Sequence, residues 1–362
     1  MSSSPLYIGL MSGTSLDGVD GVLTPFDAEP VAAHIPFPDD LRRELLSLQA
    51  ASDNEIHREA LAANRIASLY AECVRLLLDK SGRKAADIAA IGAHGQTIRH
   101  QPALGYTRQI INPALLAELT GIDVVCDFRS RDIAAGGQGA PLVPAFHHAV
   151  FGSDRAVRVV VNIGGISNIS ILRTDGGVSG YDTGPGNLLM DGWVQQHQGQ
   201  PYDANGEWAA SGRVVPALLD RMLQEPYLAL PAPKSTGRDL FHADWLAAQL
   251  QGLGALDAAD VQATLAAYTA QTIAAGIRRD APDAESVYVC GGGALNGHLM
   301  QSLQQALTMP VLRTDELGIA AMHVEAIAFA WLAMRFCQRL PGNLPAVTGA
   351  SGPRVLGALY PA

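Results

Sequence analysis

Three features of this 362-residue sequence predict an α/β protein built from two related lobes. Short apolar or β-branched runs alternate with stretches of helical spacing, and most of the runs end in glycine. Each half of the chain also opens with the same strand, glycine turn, strand arrangement, at residues 6–23 and 157–172. The length points the same way, because it exceeds what one hydrophobic core usually supports.

The elements follow in order. Leu6 to Met11 and Gly21 to Leu23 read as strands flanking the turn Ser12–Asp20. Residues 40–80 carry helical spacing, with Leu41, Leu45 and Leu48 followed by Ile66, Tyr70, Cys73 and Leu77. Ile88 to His94 and Asp123 to Asp127 are strands, separated by a helix over Pro113 to Leu119. The glycine-rich segment Ala134 to Pro141 has the character of a boundary or a binding loop. A break there gives one lobe over 1–133, with 341–362 expected to pack back on it, and a second over 134–340. In the second lobe, Ala156 to Asn162, Ile169 to Leu172 and Ser286 to Cys290 read as strands. Val214 to Gln224, Asp257 to Arg279, His298 to Leu307 and Ala321 to Leu340 read as helices.

A net charge of −10 argues against a nucleic-acid partner, which would call for a dense basic patch. An anionic nucleotide remains compatible, since backbone N–H groups and a bound metal can hold phosphates. With only three lysines (Lys80, Lys84 and Lys234), such a site leans on backbone, arginine or metal. The four scattered cysteines form no CxxC pair, so neither a zinc site nor a disulfide framework is expected. The N-terminus shows no basic and apolar leader, and no apolar stretch is long enough to span a bilayer, so the reading is soluble and cytoplasmic.

No GxxxxGK[ST], HExxH or GxSxG motif occurs, which removes Walker-type, zincin and hydrolase chemistry. Three glycine-bearing turns remain. In Gly13-Thr14-Ser15-Leu16-Asp17-Gly18-Val19-Asp20, backbone N–H groups could approach phosphate oxygens and Asp17 could hold magnesium. The same segment reads equally as a tight hairpin with a capping aspartate. Asn162, Gly164 and Gly165 repeat the logic after a stronger strand, where a plain β-turn is the competing reading. Gly291, Gly292 and Gly293 join a strand to a helix start, a place for a ribose or phosphate or simply a close-packed turn. Asp182, before Thr-Gly-Pro-Gly-Asn187, suits a general base in phosphoryl transfer as well as a helix N-cap. His94 and Gln96 end one strand and Arg129 follows the next, so they could bind a polar acceptor; Glu325 sits in an apolar helix. Lys234 and Arg238 lie in a proline-flanked segment that reads as a mobile, lid-like loop.

Eight segments in order resemble the anhydro-N-acetylmuramic acid kinase family. They are 9–20, 92–97, 127–129, 137–144, 162–168, 182–187, 234–238 and 324–326. The resemblance implies the sugar kinase, heat-shock protein 70 and actin superfamily fold: two actin-like (ribonuclease H-like) lobes with ATP in the cleft. It implies ATP phosphates on 13–20 and 162–168, a nucleoside near Gly291–Gly293, Mg2+ as cofactor, and Asp182 as the catalytic base. His94, Gln96, Arg129 and Glu325 become candidates for contacts to 1,6-anhydro-N-acetylmuramic acid, and a homodimer is compatible. Two other readings stay open: a kinase of this fold acting on a free sugar hydroxyl, and a non-enzymatic actin-like ATP switch.

Overall fold

The structure is a computed structural model that describes residues 4–362; Met1 to Ser3, part of the N-terminal segment in which no leader was expected, lie outside the described residues. The chain divides into two units, one comprising the residues up to Phe146 together with His323–Ala362, the other His147–Met322. The sequence reading broke the chain at 133/134 and returned it at 341. Packing moves the first break past Phe146, whose ring meets Trp331 at 6.2 Å between centroids, and returns the helix Val324–Cys337 with the C-terminal segment.

In the first unit, β1 (Leu6–Met11), β2 (Gly18–Thr24) and β3 (Val31–Pro36) form an antiparallel meander. On its other side β1 is joined by parallel β4 (Ile88–Ala93). A two-stranded ribbon follows, β5 (Gln96–Gln101) with β6 (Tyr106–Ile110). Next, β7 (Val124–Cys126) adds parallel to β4, and the terminal strand Ala358–Tyr360 closes that edge antiparallel. The helix Glu55–Ser81 buries Ala62, Ile66, Tyr70, Cys73 and Leu77, the i, i+3/i+4 stripe visible in the sequence.

The second unit repeats this order. The strands β8 (Arg158–Ile163), β9 (Ile166–Leu172) and β10 (Val178–Pro185) form the meander, and β11 (Ser286–Cys290) and β12 (Val311–Arg313) extend it in parallel from β8. Leaving aside the β5–β6 ribbon and counting strands along each unit, both sheets contain the order 3-2-1-4-5, with the terminal strand as a sixth at the edge of the first; this is the ribonuclease H-like topology that the family resemblance implied.

Two glycines set the packing of the first unit. Gly9 and Gly92 are register partners on β1 and β4. A Cβ on Gly9 would lie 1.8 Å from the Ala326 carbonyl oxygen, and one on Gly92 would lie 2.0 Å from that of Phe329. The helix Val324–Cys337 therefore rests its backbone directly on the sheet, which only glycine permits. That close approach fixes where Glu325, in the first turn of the helix, stands.

Candidate functional site

The tip between β1 and β2 is shaped by Leu16. It adopts a left-handed conformation (φ 59°), its N–H closes a turn onto the Gly13 carbonyl at 3.2 Å, and its side chain is buried in the core. The side chains of Leu16 and Val19 thus face inward, and only their backbone could touch a ligand. Asp17 is exposed and accepts the Ser15 hydroxyl at 2.8 Å, while Asp20 pairs with His34 across the β2–β3 ladder at 2.8 Å. That bond is the main reason the His34 pKa is raised. Ser12, which sequence reasoning passed over, anchors the base of the tip: its hydroxyl meets the Tyr70 hydroxyl at 2.9 Å and donates to the Gly95 carbonyl at 3.0 Å.

His94, Gln96 and Arg129 converge on this tip. Arg129 directs two guanidinium N–H groups at His94 Nε2, at 3.0 and 3.3 Å, and a third at the Gly139 carbonyl, at 2.8 Å. Because a guanidinium can only donate, Nε2 must accept, and the ring proton sits on Nδ1, which donates to the Ser12 carbonyl at 3.3 Å. Burial, helped by the Arg129 charge, pushes the His94 pKa down to about 3, so the ring is neutral and both its nitrogens are committed inside the unit. Gln96 donates to the Gly13 carbonyl at 3.1 Å; its Oε1 is buried with no partner, an acceptor suited to a ligand hydroxyl or amide N–H. Arg129 is held in turn through the 136–139 loop. Fully buried Asp132 accepts from Gly139 N–H (2.8 Å), Asn343 (2.7 Å) and the Thr348 hydroxyl (2.8 Å). Glu325 is half-buried at its helix start, where a carboxylate complements the helix dipole.

In the second unit, register aligns Asp182 on β10 with Asn168 on β9, Asn168 with Asn162 on β8, and Asn162 with Cys290 on β11. One row across the sheet therefore carries Asp182, Asn168 and Asn162 on one face and leads into Gly291. Asn168 Oδ1 is buried without a partner, a second orphaned acceptor; the sequence showed Asn168 in its motif but gave no reason to single it out. The β8–β9 turn is fixed through its carbonyls. Those of Gly164 and Gly165 accept the N–H groups of Asn187 (2.8 Å), Gly186 (2.9 Å) and Leu188 (3.1 Å). In trans peptides this turns the N–H groups of Gly165 and Ile166 away from that loop.

Gly291–Gly293 does not sit at a helix N-terminus, as the sequence suggested. A 3-10 turn over Gly292–Leu295 intervenes, and the helix starts at Gly297 with Asn296 as its cap. Gly291 (φ 78°) and Gly293 are packed against Asn162 and Ile163, where a Cβ would come within 2.4 Å; only Gly292 presents an open face.

Asp182 is not a helix N-cap. It lies within β10 beside a bulge, five residues before Asn187, where the next helix is capped. It is 6% exposed. Its N–H donates to the Lys234 carbonyl at 3.3 Å, its carbonyl accepts the Tyr227 hydroxyl at 2.7 Å, and its Oδ2 accepts the Thr236 N–H at 3.0 Å. The segment 231–238 is therefore no solvated lid at Lys234: that side chain is also 6% exposed, drawn in by two carbonyls and two aromatic rings.

Paired lobes of this topology, each with a glycine-bearing hairpin at its first turn, define the sugar kinase and actin class of fold. The family model described as Anhydro-N-acetylmuramic acid kinase matches residues 5–362. Proteins of that name from Paraburkholderia xenovorans (59% identical) and Cupriavidus pinatubonensis (60% identical) each align over 98% of this chain and 98% of their own. The chain belongs to the anhydro-N-acetylmuramic acid kinase family. Among solved structures, the activator of the 2-hydroxyisocaproyl-CoA dehydratase from Clostridium difficile aligns over 92% of this chain and 96% of its own, with TM-score 0.47 and 11% identity.

Proposed function

We propose that the protein is an ATP-dependent kinase that opens 1,6-anhydro-N-acetylmuramic acid with water and phosphorylates O6, giving N-acetylmuramic acid 6-phosphate for reuse of cell-wall sugar. Family membership across residues 5–362 carries the reading. In the anhydro sugar O6 is tied into the bridge, so a base has no hydroxyl there to deprotonate. Asp182 instead takes a proton from a water whose oxygen bonds to C1 as the C1–O6 bond breaks. The released O6 then attacks the γ-phosphorus of ATP, and ADP leaves. The burial of Asp182 and the Thr236 main-chain N–H that its carboxylate accepts support the preorganisation such a base requires.

In this reading the 13–20 tip and the Asn162-to-Asn168 turn bind phosphates through their backbone, and the open face of Gly292 admits the nucleoside. Gln96, Arg129 and Glu325 meet the sugar, with His94 acting as a strut for Arg129 because neither of its nitrogens is left to bind a ligand. Among the described residues no group of three or more His, Cys, Asp or Glu side chains could cage a metal. Magnesium fits this only in its usual manner with nucleotides, taking most ligands from phosphate and water and one from a carboxylate, here Asp17. When bound it neutralises phosphate charge. No described helix is long and apolar enough to cross a membrane.

The reaction is tested by mass spectrometry with ATP, the anhydro sugar and ¹⁸O-water. Label at C1 together with phosphate at O6 is the expected outcome. A phosphorylated product that retains its anhydro bridge would exclude the mechanism, and phosphorylation of a free-hydroxyl sugar in preference to the anhydro sugar would favour the alternative kinase.

A further inference from the structure

Among the described residues, Lys234 is the one buried lysine. Its ammonium donates to the carbonyls of Tyr227 and Leu228, both at 3.1 Å, and lies 4.6 Å from the Tyr227 ring centroid and 5.3 Å from that of Tyr181. Two carbonyls and two π-faces offset the cost of taking a cation out of water. The offset is incomplete, since burial first and the neighbouring Arg279 second lower the lysine's pKa to about 8. A charged group kept where it is disfavoured invites the question of what it holds in place.

The answer lies along the same three residues. While the Lys234 side chain grips the 227–228 backbone, its own carbonyl accepts the Asp182 N–H, and two residues later the Thr236 N–H donates to Asp182 Oδ2. Tyr227, whose ring and carbonyl form half the ammonium cage, donates its hydroxyl to the Asp182 carbonyl. Tyr181, whose ring forms the other side, is the residue before Asp182 and is tied through its hydroxyl to Arg279 and Asp280. The cage and the grip on the aspartate share their walls.

We propose that Lys234 is a positioning residue for Asp182: its buried ammonium fastens the 234–236 segment to β10 and so fixes the orientation of the carboxylate. The proposal rests on Asp182 being the base. It is distinct from a phosphate-binding role for the lysine, because the ammonium points at the protein's own carbonyls and rings. The ionisable groups facing this corner are Tyr181 and Asp182 on β10, Tyr227, Lys234 and Asp239 on the connecting segments, and Arg279 with Asp280 at the end of the helix Ala258–Asp280.

The full-length enzyme is assayed for ADP release with ATP and the anhydro sugar, comparing Lys234→Met, Thr236→Pro and Asp182→Asn. Lys234→Met keeps the chain length and removes the charge. It is expected to lower kcat on the order of ten- to a hundredfold, the scale of one hydrogen bond to a charged group, with KM for both substrates within about twofold, as for loss of an interaction made in the transition state. The acid limb of its kcat profile should also move to higher pH, because a carboxylate that loses an N–H donor binds its proton more tightly. Thr236→Pro, which removes that N–H and leaves the Lys234 ammonium in place, should reproduce both effects, and it decides the matter if Lys234→Met does not fold. A folded Lys234→Met enzyme with unchanged kcat and pH profile would overturn the proposal, as would a rise in KM for ATP at constant kcat, the mark of a phosphate ligand. Full turnover by Asp182→Asn would instead remove the base reading itself.

Discussion

The two sheets share one strand order and hold their glycine-bearing tips by opposite means. In the first unit, side chains grip the tip: Ser12 reaches Tyr70 and Gly95, Gln96 reaches the Gly13 carbonyl, and His94 reaches the Ser12 carbonyl. In the second, the N–H groups of Gly186, Asn187 and Leu188 take the carbonyls of Gly164 and Gly165, and the one side chain that joins them is the Asn187 amide, which donates to the Ile163 carbonyl at 3.3 Å. A side-chain grip can be retuned or lost by one substitution. A backbone grip ignores most substitutions but cannot tolerate a Cβ in the contact. The same topology thus carries one adjustable loop and one rigid loop, and the rigid one lies beside the row that holds Asp182.

The largest effect should follow from removing the group that the rigid side serves. Asp182→Asn is expected to cost roughly 10²- to 10⁴-fold in turnover, the range for general acid–base catalysis, while ATP affinity by calorimetry stays within about twofold. Loss of ATP binding in step with turnover would assign Asp182 to the nucleotide instead. Next comes the backbone contact. A Cβ at Gly186 would lie 2.2 Å from the Gly164 carbonyl oxygen, with no flexible side chain to move aside. Gly186→Ala should therefore destabilise the protein by roughly 1–3 kcal/mol or more, as overpacking does, and denaturant titration of the second unit's transition measures it. A cost below about 0.5 kcal/mol, the scale of an ordinary surface substitution, would mean the turn is not rigid.

The sequence made the hairpins legible because strands bounded by glycine are local features, as are the helical stripe of Glu55–Ser81 and the β-branched run of β8. It also placed Gly13, His94, Gln96 and Arg129 in segments that prove to converge. It misread the 231–238 segment, because prolines and a lysine look solvated unless the aromatic partners Tyr181 and Tyr227, 53 and 7 residues before Lys234, are known to surround it. The helix read at His298–Leu307 forms at Gly297–Ala306, but Gly291–Gly293 is not its start: Gly293 is small because Ile163 on a neighbouring strand occupies its side-chain space, and sequence distance conceals that contact. Ser12 depends on Gly95, and Asp132 in part on Asn343 and Thr348, all far along the chain, so the importance of these two residues had little local signal.

A smaller effect should come from the adjustable side. Gln96→Leu removes the amide that holds the Gly13 carbonyl and also deletes the orphaned Oε1. It should cost about 1 kcal/mol of stability, the usual net worth of such a bond, and weaken binding at the first-unit tip about tenfold if Oε1 meets a ligand donor. Substrate and nucleotide titrations of the variant separate those two ligands, and unchanged affinity for both would leave Gln96 a purely structural clamp.

The smallest effect is a pH dependence that tests whether both units respond to acid alike. His94 in the first unit and His147 in the second are fully buried, and burial lowers each pKa to about 3. The sign follows from linkage. The unfolded chain binds protons at these sites below about pH 6.5 while the folded chain does not, so the stability they carry is intact above that pH. It falls as the pH drops from there toward 3, by at most about 1.4 kcal/mol per pH unit for each histidine. The two rings differ in wiring: both nitrogens of His94 are bonded, Nε2 to a guanidinium, whereas His147 meets the neutral Ser170 hydroxyl at 2.8 Å through Nδ1. An incoming proton on His94 must break the contact to the Arg129 guanidinium. Substituting each with a residue that cannot titrate, His94→Gln and His147→Gln, should flatten the acid side of the stability curve measured by urea titration between about pH 4 and 7, the range below the free-histidine pKa. If only His147→Gln flattens it, the Arg129 contact yields to protonation at little cost, and the first-unit network is softer than its bond lengths suggest.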